Sequence, residues 1–237
     1  MFCFRVNPHC IALINHVILS DVSPADAVRI DEERERRRRK FRFRRYYPDR
    51  QLLILALNTP LHEQFHIDFY FLLIDKLNGL GLSLREDWRS MGKATYPTYP
   101  LEPTGRLSYG EGDSTGGPLS SRSGPGKWPT LVLEGGHSQS LEQLRADLGW
   151  WFSASNHDVK IVQLLKFDRA RESIIVEKWV EEEIPERPSA STTGPMTAQQ
   201  LQPVCRQNVI IRRDKTTDPV SYPVTGAPLI LRVQAAV

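Results

Sequence analysis

Two histidines one helical turn apart, with a glutamate between them, stand in the run HEQFH as His62, Glu63 and His66. The spacing H-E-x-x-H puts both imidazoles on one helix face, where they can hold a zinc ion while the glutamate acts on its water. Glu86 further along is a candidate third ligand. Pro60 places the pair in the first helical turn, where geometry frays. The alternative is therefore that His62, Glu63 and His66 cap the helix or face solvent, a first-turn glutamate also suiting the helix dipole.

A second set is acidic. Asp113 lies in GEGDSTGG, and Glu134 ends the apolar run TLVLE. Two or three carboxylates around Mg²⁺ (or Mn²⁺), with a cation near the attacking water, are what phosphodiester hydrolysis with a hard metal requires. Asp113 and Glu134 would hold the ion, with Glu63 assisting. Strand ends beside a helix start form clefts, which favours Glu134. The structural alternatives are a turn aspartate at Asp113 and a carboxylate bonding backbone amides at Glu134. Gly135 and Gly136 precede a helix, as phosphate cradles do. Without Walker or dinucleotide spacing, their expected role is the positive φ of a turn.

These residues need elements to position them. FRFRRYY and QLLILAL read as a hairpin turning at Pro48-Asp49. Pro60 opens a helix with Leu61, Phe65, Phe69, Leu72 and Leu73 on one face, ended by Gly79 or Gly81. Residues 92–127 are rich in Pro, Gly, Ser and Tyr and read as a loop-rich insertion with one short strand. Thr130 to Glu134 is a buried strand. Ser140 and Gln143 form a capping box for a helix burying Leu141, Leu144, Leu148, Trp151 and Phe152, and only one of Trp150 and Trp151 can face the core. A turn at Asn156–Asp158 leads to a second hairpin, 159–167 with 173–180. Residues 181–200 read as a linker-like loop, and NVIIRR and APLILRV as two last strands. Residues 1–40 read as an irregular extension and 41–237 as the domain. The expected class is α/β, a mixed β-sheet flanked by helices.

The chain of 237 residues carries a net charge of +3, yet RIDEERERRRRKFRFRR (29–45) alone is +6. The rest is mildly acidic, which argues against a nucleic-acid clamp over a whole face. The basic run reads either as a solvated arm or as a nuclear-import or phosphate-contacting segment. Cys3, Cys10 and Cys205 make neither a disulfide framework nor a zinc pair. No run approaches the roughly 20 apolar residues of a membrane span. An intracellular protein, nuclear or cytoplasmic, is expected, with nucleic acid as the candidate partner and no membrane.

The text WPTLVLEGGHSQSLEQLRADLGWWFSASNHDVKIVQLLKF resembles a family of fungal proteins of uncharacterised function, as do TPLHEQFHIDFYFLLIDKLNGLGL and GEGDSTGGP upstream. The likeness spans roughly residues 45–233. That family is in turn similar to bacterial restriction-endonuclease-type proteins of the PD-(D/E)XK nuclease superfamily. The resemblance implies a restriction-endonuclease-like core with added β-hairpins. It implies Asp113 and Glu134 as ligands of Mg²⁺ and Glu63 as an acidic residue of the first helix. The lysine of the motif would fall at Gly136, leaving Arg145 on the following helix as the cation for the phosphate. The implied function is a metal-dependent nuclease, weakly active or degenerate. The alternatives are an inactive nuclease-fold scaffold binding a protein or nucleic acid, and a zinc hydrolase through HEQFH.

Overall fold

A computed structural model of the chain describes residues 11–13, 16–38, 41–57, 59–92, 94–98, 108–122, 124, 126–137, 139–184, 201–226 and 228–231. Among them the strands form two sheets. The smaller runs in the order β1 (Ile11–Leu13), β2 (His16–Leu19), β4 (Leu52–Leu57), β3 (Phe41–Tyr47), β7 (Tyr109–Glu111), β6 (Thr95–Pro97). The larger runs β13 (Val224–Thr225), β12 (Leu201–Arg212), β11 (Ser173–Glu183), β10 (Ile161–Asp168), β9 (Leu131–Gly136), β8 (Ser114–Pro118), β5 (Trp88–Ser90). It is mixed, because β9 and β10 are parallel while the other neighbours are antiparallel. A parallel pair needs a long crossover. This one carries α4 (Leu141–Ala146) and α5 (Leu148–Ala154).

The larger sheet is covered on both faces, as expected for the α/β class. Leu131 and Leu133 pack with Tyr70, Leu73, Ile74 and Leu77 of α2 (Pro60–Gly79). Val132, between them, packs with Leu144, Leu148, Trp151 and Phe152. Alternate residues of one strand thus meet different helices. The capping box of Ser140 and Gln143 is present, and of the two tryptophans Trp151 is the fully buried one. α3 (Leu119–Arg122) follows β8.

Several expectations change. The stretch expected to be an irregular extension holds β1, β2 and α1 (Pro24–Arg36), with residues 1–10, 14, 15, 39 and 40 outside the described set. Ser23 and Asp26 cap α1 reciprocally, and Ala27 buries against Phe43, Tyr46, Leu53 and Leu55. Of the face expected on α2, Leu73 is buried and Phe65 and Phe69 pack against the same cluster, while Leu61 and Leu72 are more than half exposed; His66, Tyr70, Ile74 and Leu77 complete the buried side. The buried side takes in two polar members because they find partners. His66 meets Ser114, and Tyr70 donates to Ser90 Oγ while accepting from Trp88 Nε1. Among its described residues the insertion 92–127 holds three strands, not one; their short, glycine-containing text hides the pattern. β11 runs through Glu181–Glu183, which pair with Leu201–Pro203, and Arg206 compensates Glu182; residues 185–200 lie outside the described set. Pro228–Leu231 form no strand, and the last strand among the described residues is β13; residues 227, 232 and 233 of the expected strand lie outside the described set.

One irregularity positions the site. Phe43 and Arg45 face consecutive partners, Leu55 and Ile54, so Arg44 is an extra residue in β3. A bulge of this kind re-aims side chains. It places Phe41, Phe43 and Tyr46 opposite Leu57, Leu55 and Leu53, and Arg42 and Arg45 opposite Ala56 and Ile54. Aromatics therefore fill the α1 face, and both arginines share the other. Arg45 stacks on Trp150 and Trp151, its guanidinium carbon 4.1 and 4.5 Å from the ring centroids.

Gly110 makes room for this. A Cβ there would lie 2.4 Å from Arg45 Nη1 and 2.9 Å from the Arg44 carbonyl oxygen. Gly110→Ala is expected to cost about 1–3 kcal/mol by overpacking. Urea unfolding followed by tryptophan fluorescence measures it, and an unchanged midpoint would show that the arginine packing is loose.

Candidate metal centre

Asp113 sits on the link from β7 to β8, where one sheet passes into the other, and is 1% exposed. Its Oδ2 accepts from the Gly135 amide at 2.7 Å and lies 3.3 Å from His62 Nε2. Its Oδ1 is 2.8 Å from Arg42 Nη2, an ionic contact off the hydrogen-bond direction. The same Nη2 is 3.9 Å from Glu134 Oε2. Glu134, 2% exposed, accepts from Trp151 Nε1 at 2.9 Å and faces Arg45 Nη2 at 3.5 Å. The structure thus brings the two expected carboxylates together, with a guanidinium beside both.

Burial opposes ionisation of each carboxylate, with opposite outcomes. For Asp113 the charges of Arg42 and His62 outweigh burial and hold it far below the usual carboxylate range. For Glu134 burial, joined by the charge of Asp113, outweighs Arg42, Arg45 and Arg44 and pushes it up. Arg44, the bulge residue, donates from Nε and Nη2 to Asp147 Oδ2 at 2.8 and 2.5 Å. Its Nη1 donates to His16 Nε2 at 3.1 Å. That geometry needs a neutral His16, consistent with burial and Arg44 lowering its pKa to about 4.

His62, Glu63 and His66 form a group that could hold a metal ion, their ligand atoms lying within 4.8 Å of one another. Thr59 caps α2 by accepting from the His62 amide, which steadies the turn expected to fray. His62 Nε2 donates to the Gly135 carbonyl at 2.9 Å and faces Asp113, so its Nδ1 turns toward Glu63 Oε1, 3.8 Å away. His66 Nδ1 bonds Ser114 Oγ at 2.9 Å, so its Nε2 turns toward Glu63 Oε2, 3.6 Å away. Metal-bound imidazoles characteristically use the other nitrogen in this way. Around an ion with bonds of about 2.1 Å, tetrahedral ligand atoms stand about 3.4 Å apart. Burial lowers the pKa of His62, but the charge and hydrogen bond of Asp113 outweigh it and the net shift is upward.

The other expected residues fall elsewhere. Arg145 bonds Glu177 of β11 through Nε and Nη2 and lies over the Trp179 ring, so it does not serve Asp113 and Glu134. Glu63 belongs with the histidines. Glu86 is exposed in the turn beyond the far end of α2. Gly135 and Gly136 lie within β9 and neither has a positive φ. A Cβ on Gly136 would lie 2.6 Å from Leu144 Cδ1, so close helix packing explains that glycine. Residue-type reasoning missed Arg42, Arg44 and Arg45; the one signal for them was the Arg-Arg doublet that interrupts the alternation of FRFRRYY.

Arg42→Met is expected to lower stability at neutral pH by about 3–5 kcal/mol, because a buried carboxylate loses its partner. Asp113 is depressed below its usual 3.8. Its contribution is therefore present above about pH 3.8 and lost as pH falls toward the folded value. Arg42→Met raises that value, so acid unfolding should begin at higher pH. Circular dichroism across about pH 2–7, a range that spans the usual carboxylate value, reads both effects; an acid midpoint unmoved by the substitution would rule out Arg42 as the compensating charge.

No protein-family model matches the chain, and no curated protein matches it.

Proposed function

We propose that the protein is a metal-dependent hydrolase whose divalent ion is held by His62, Glu63 and His66. The observation that supports it is the paired orientation of the imidazoles, each tied back through one ring nitrogen and turned toward the Glu63 carboxylate through the other. Two imidazoles and a carboxylate suit zinc and similar borderline ions. Such an ion supplies Lewis acidity and lowers the pKa of water to about 7. Asp113 orients His62 and raises its basicity, and Ser114 orients His66. Glu63, the most exposed of the three, completes the ligand set or takes the proton from water. The nuclease-superfamily resemblance makes phosphodiesters the first substrates to assay.

A specific observation favours a second reading, a nuclease-fold scaffold inert at Asp113 and Glu134. Arg42 and Arg45 already neutralise that pair, and both carboxylates are closed to solvent. Mg²⁺ at those residues would have to displace a guanidinium.

Calorimetric titration of the full chain with Zn²⁺, Mn²⁺ and Mg²⁺ separates the readings. Binding is expected for Zn²⁺, weakened on the order of 100-fold or more by His62→Ala and about tenfold by Ser114→Ala. Protonated histidine cannot ligate. Since His62 is raised above its usual 6.5, zinc affinity should already decline as pH falls toward that value from above. Mg²⁺ or Mn²⁺ binding that survives His62→Ala would move the centre to Asp113 and Glu134. A folded protein that binds none of the three ions leaves the scaffold. Cleavage of bis(p-nitrophenyl) phosphate, lost in Glu63→Gln, tests the hydrolase itself.

A further inference from the structure

The α2 face of the larger sheet is covered unevenly. The row Leu165, Val176 and Val209 lies under α2. Two residues further along, the row Phe167, Ile174 and Ile211 keeps the same face, and the cross-strand pairs Phe167 with Ile174 and Ile174 with Ile211 make it continuous. α2 begins only at Pro60; Phe65 reaches the near edge of this row at Phe167, and Leu61 lines the open space over the rest. The result is a groove of about 550 Å³, with Tyr222 also among its lining residues. That volume falls within the roughly 300–1,000 Å³ of small-molecule sites.

The polar rim has a definite sign. Arg169 and Arg213 line the groove, and Glu172 is the acidic residue among the lining residues. Glu172 is already neutralised by Lys215 Nζ at 2.6 Å, with Arg213 at 3.9 Å. Arg169 makes no ion pair or side-chain hydrogen bond among the described residues. His137 stacks on Phe167 at 5.6 Å and 12°, and its Nε2 is shielded from solvent with no hydrogen-bond partner among them. A hydrocarbon floor with uncompensated guanidinium charge at the edge is complementary to a molecule that is apolar at one end and anionic at the other.

We propose that this groove binds an amphipathic organic anion, with its hydrocarbon body on Phe167, Ile174 and Ile211 and its carboxylate or phosphate at Arg169 and Arg213. The anionic end is the determinant, because a wholly apolar ligand would leave Arg169 without a counter-charge. The site adjoins the His62 group through Leu61 but uses none of its ligand atoms, so it does not rest on the metal reading.

The experiment is calorimetric titration of the metal-free full chain with dodecanoate, dodecyl phosphate and dodecanol, each below its aggregation threshold. Both anions are expected to bind and dodecanol to bind at least tenfold more weakly, about the share of one charge-assisted contact. Arg169→Gln, at an exposed position, should weaken the anions about tenfold and leave dodecanol unchanged. Ile211→Ser should weaken all three, with circular dichroism checking the fold. The stronger of the two anions identifies the head group. Absence of binding by both anions, or equal binding of dodecanol with no effect of Arg169→Gln, overturns the proposal. Zinc titration is independent of either result.

Discussion

Burial opposes the ionisation of a carboxylate unless a cation or hydrogen-bond donors are held against it, and Asp113 is buried where the two sheets join. Arg42 meets that requirement from β3, and the requirement propagates. β3 must present Arg42 and Arg45 on one face while keeping Phe43 and Tyr46 on the other, which an unbulged strand of this sequence cannot do. The extra residue that solves this, Arg44, is itself charged and buried, and it is matched by Asp147 at the junction of α4 and α5. Three arginines of one strand are thereby tied to three acidic residues from three places in the chain. Networks of this kind contribute less to net stability than their contacts suggest, because desolvation offsets them, but removing one member leaves an opposite charge stranded. Their effect is to permit one arrangement of the two sheets.

The same aspartate ties this network to the histidine group. Asp113 uses one oxygen for Arg42 and the other for the Gly135 amide and His62. It therefore fixes the ring of His62 from behind. The difference between the two carboxylates follows from donors: Asp113 meets a guanidinium, an amide and an imidazole, whereas Glu134 has one indole hydrogen bond and more distant arginines. Ionisation settles where donors are close, and the neighbouring charge then opposes the second ionisation.

The elements with local signals were legible in the sequence. The β3–β4 hairpin, the start of α2 at Pro60, the cap at Ser140 and the strand ending near Glu134 all rest on residues within a few positions of one another. The charge network is not local. Arg34 reaches Glu111 across 77 positions and Arg44 reaches Asp147 across 103. No periodicity records such pairs, so a basic run that is partly interior reads as a solvated arm. α1 shared this fate, since its docking depends on Ala27 and on Arg34 bonding Glu111 rather than on a broad apolar stripe. Asp113 was singled out by type, but its burial is invisible in glycine-rich text, where small residues pack closely without any hydrophobic pattern.

The basic run also corrects what net charge suggests about partners. Arg42, Arg44 and Arg45 are buried, and Arg34 is paired with Glu111 and Asp31. Charge spent inside the fold cannot attract phosphate outside it, so the +6 of residues 29–45 overstates the field that a ligand meets. The field relevant to a ligand comes from cations without internal partners, and near the carboxyl ends of the parallel strands Arg169 is such a cation among the described residues. Local compensation, rather than composition, therefore decides where an anion is held. By that criterion the basic strand is structural, and the edge of the groove beside α2 is a place where positive charge remains available over an apolar floor.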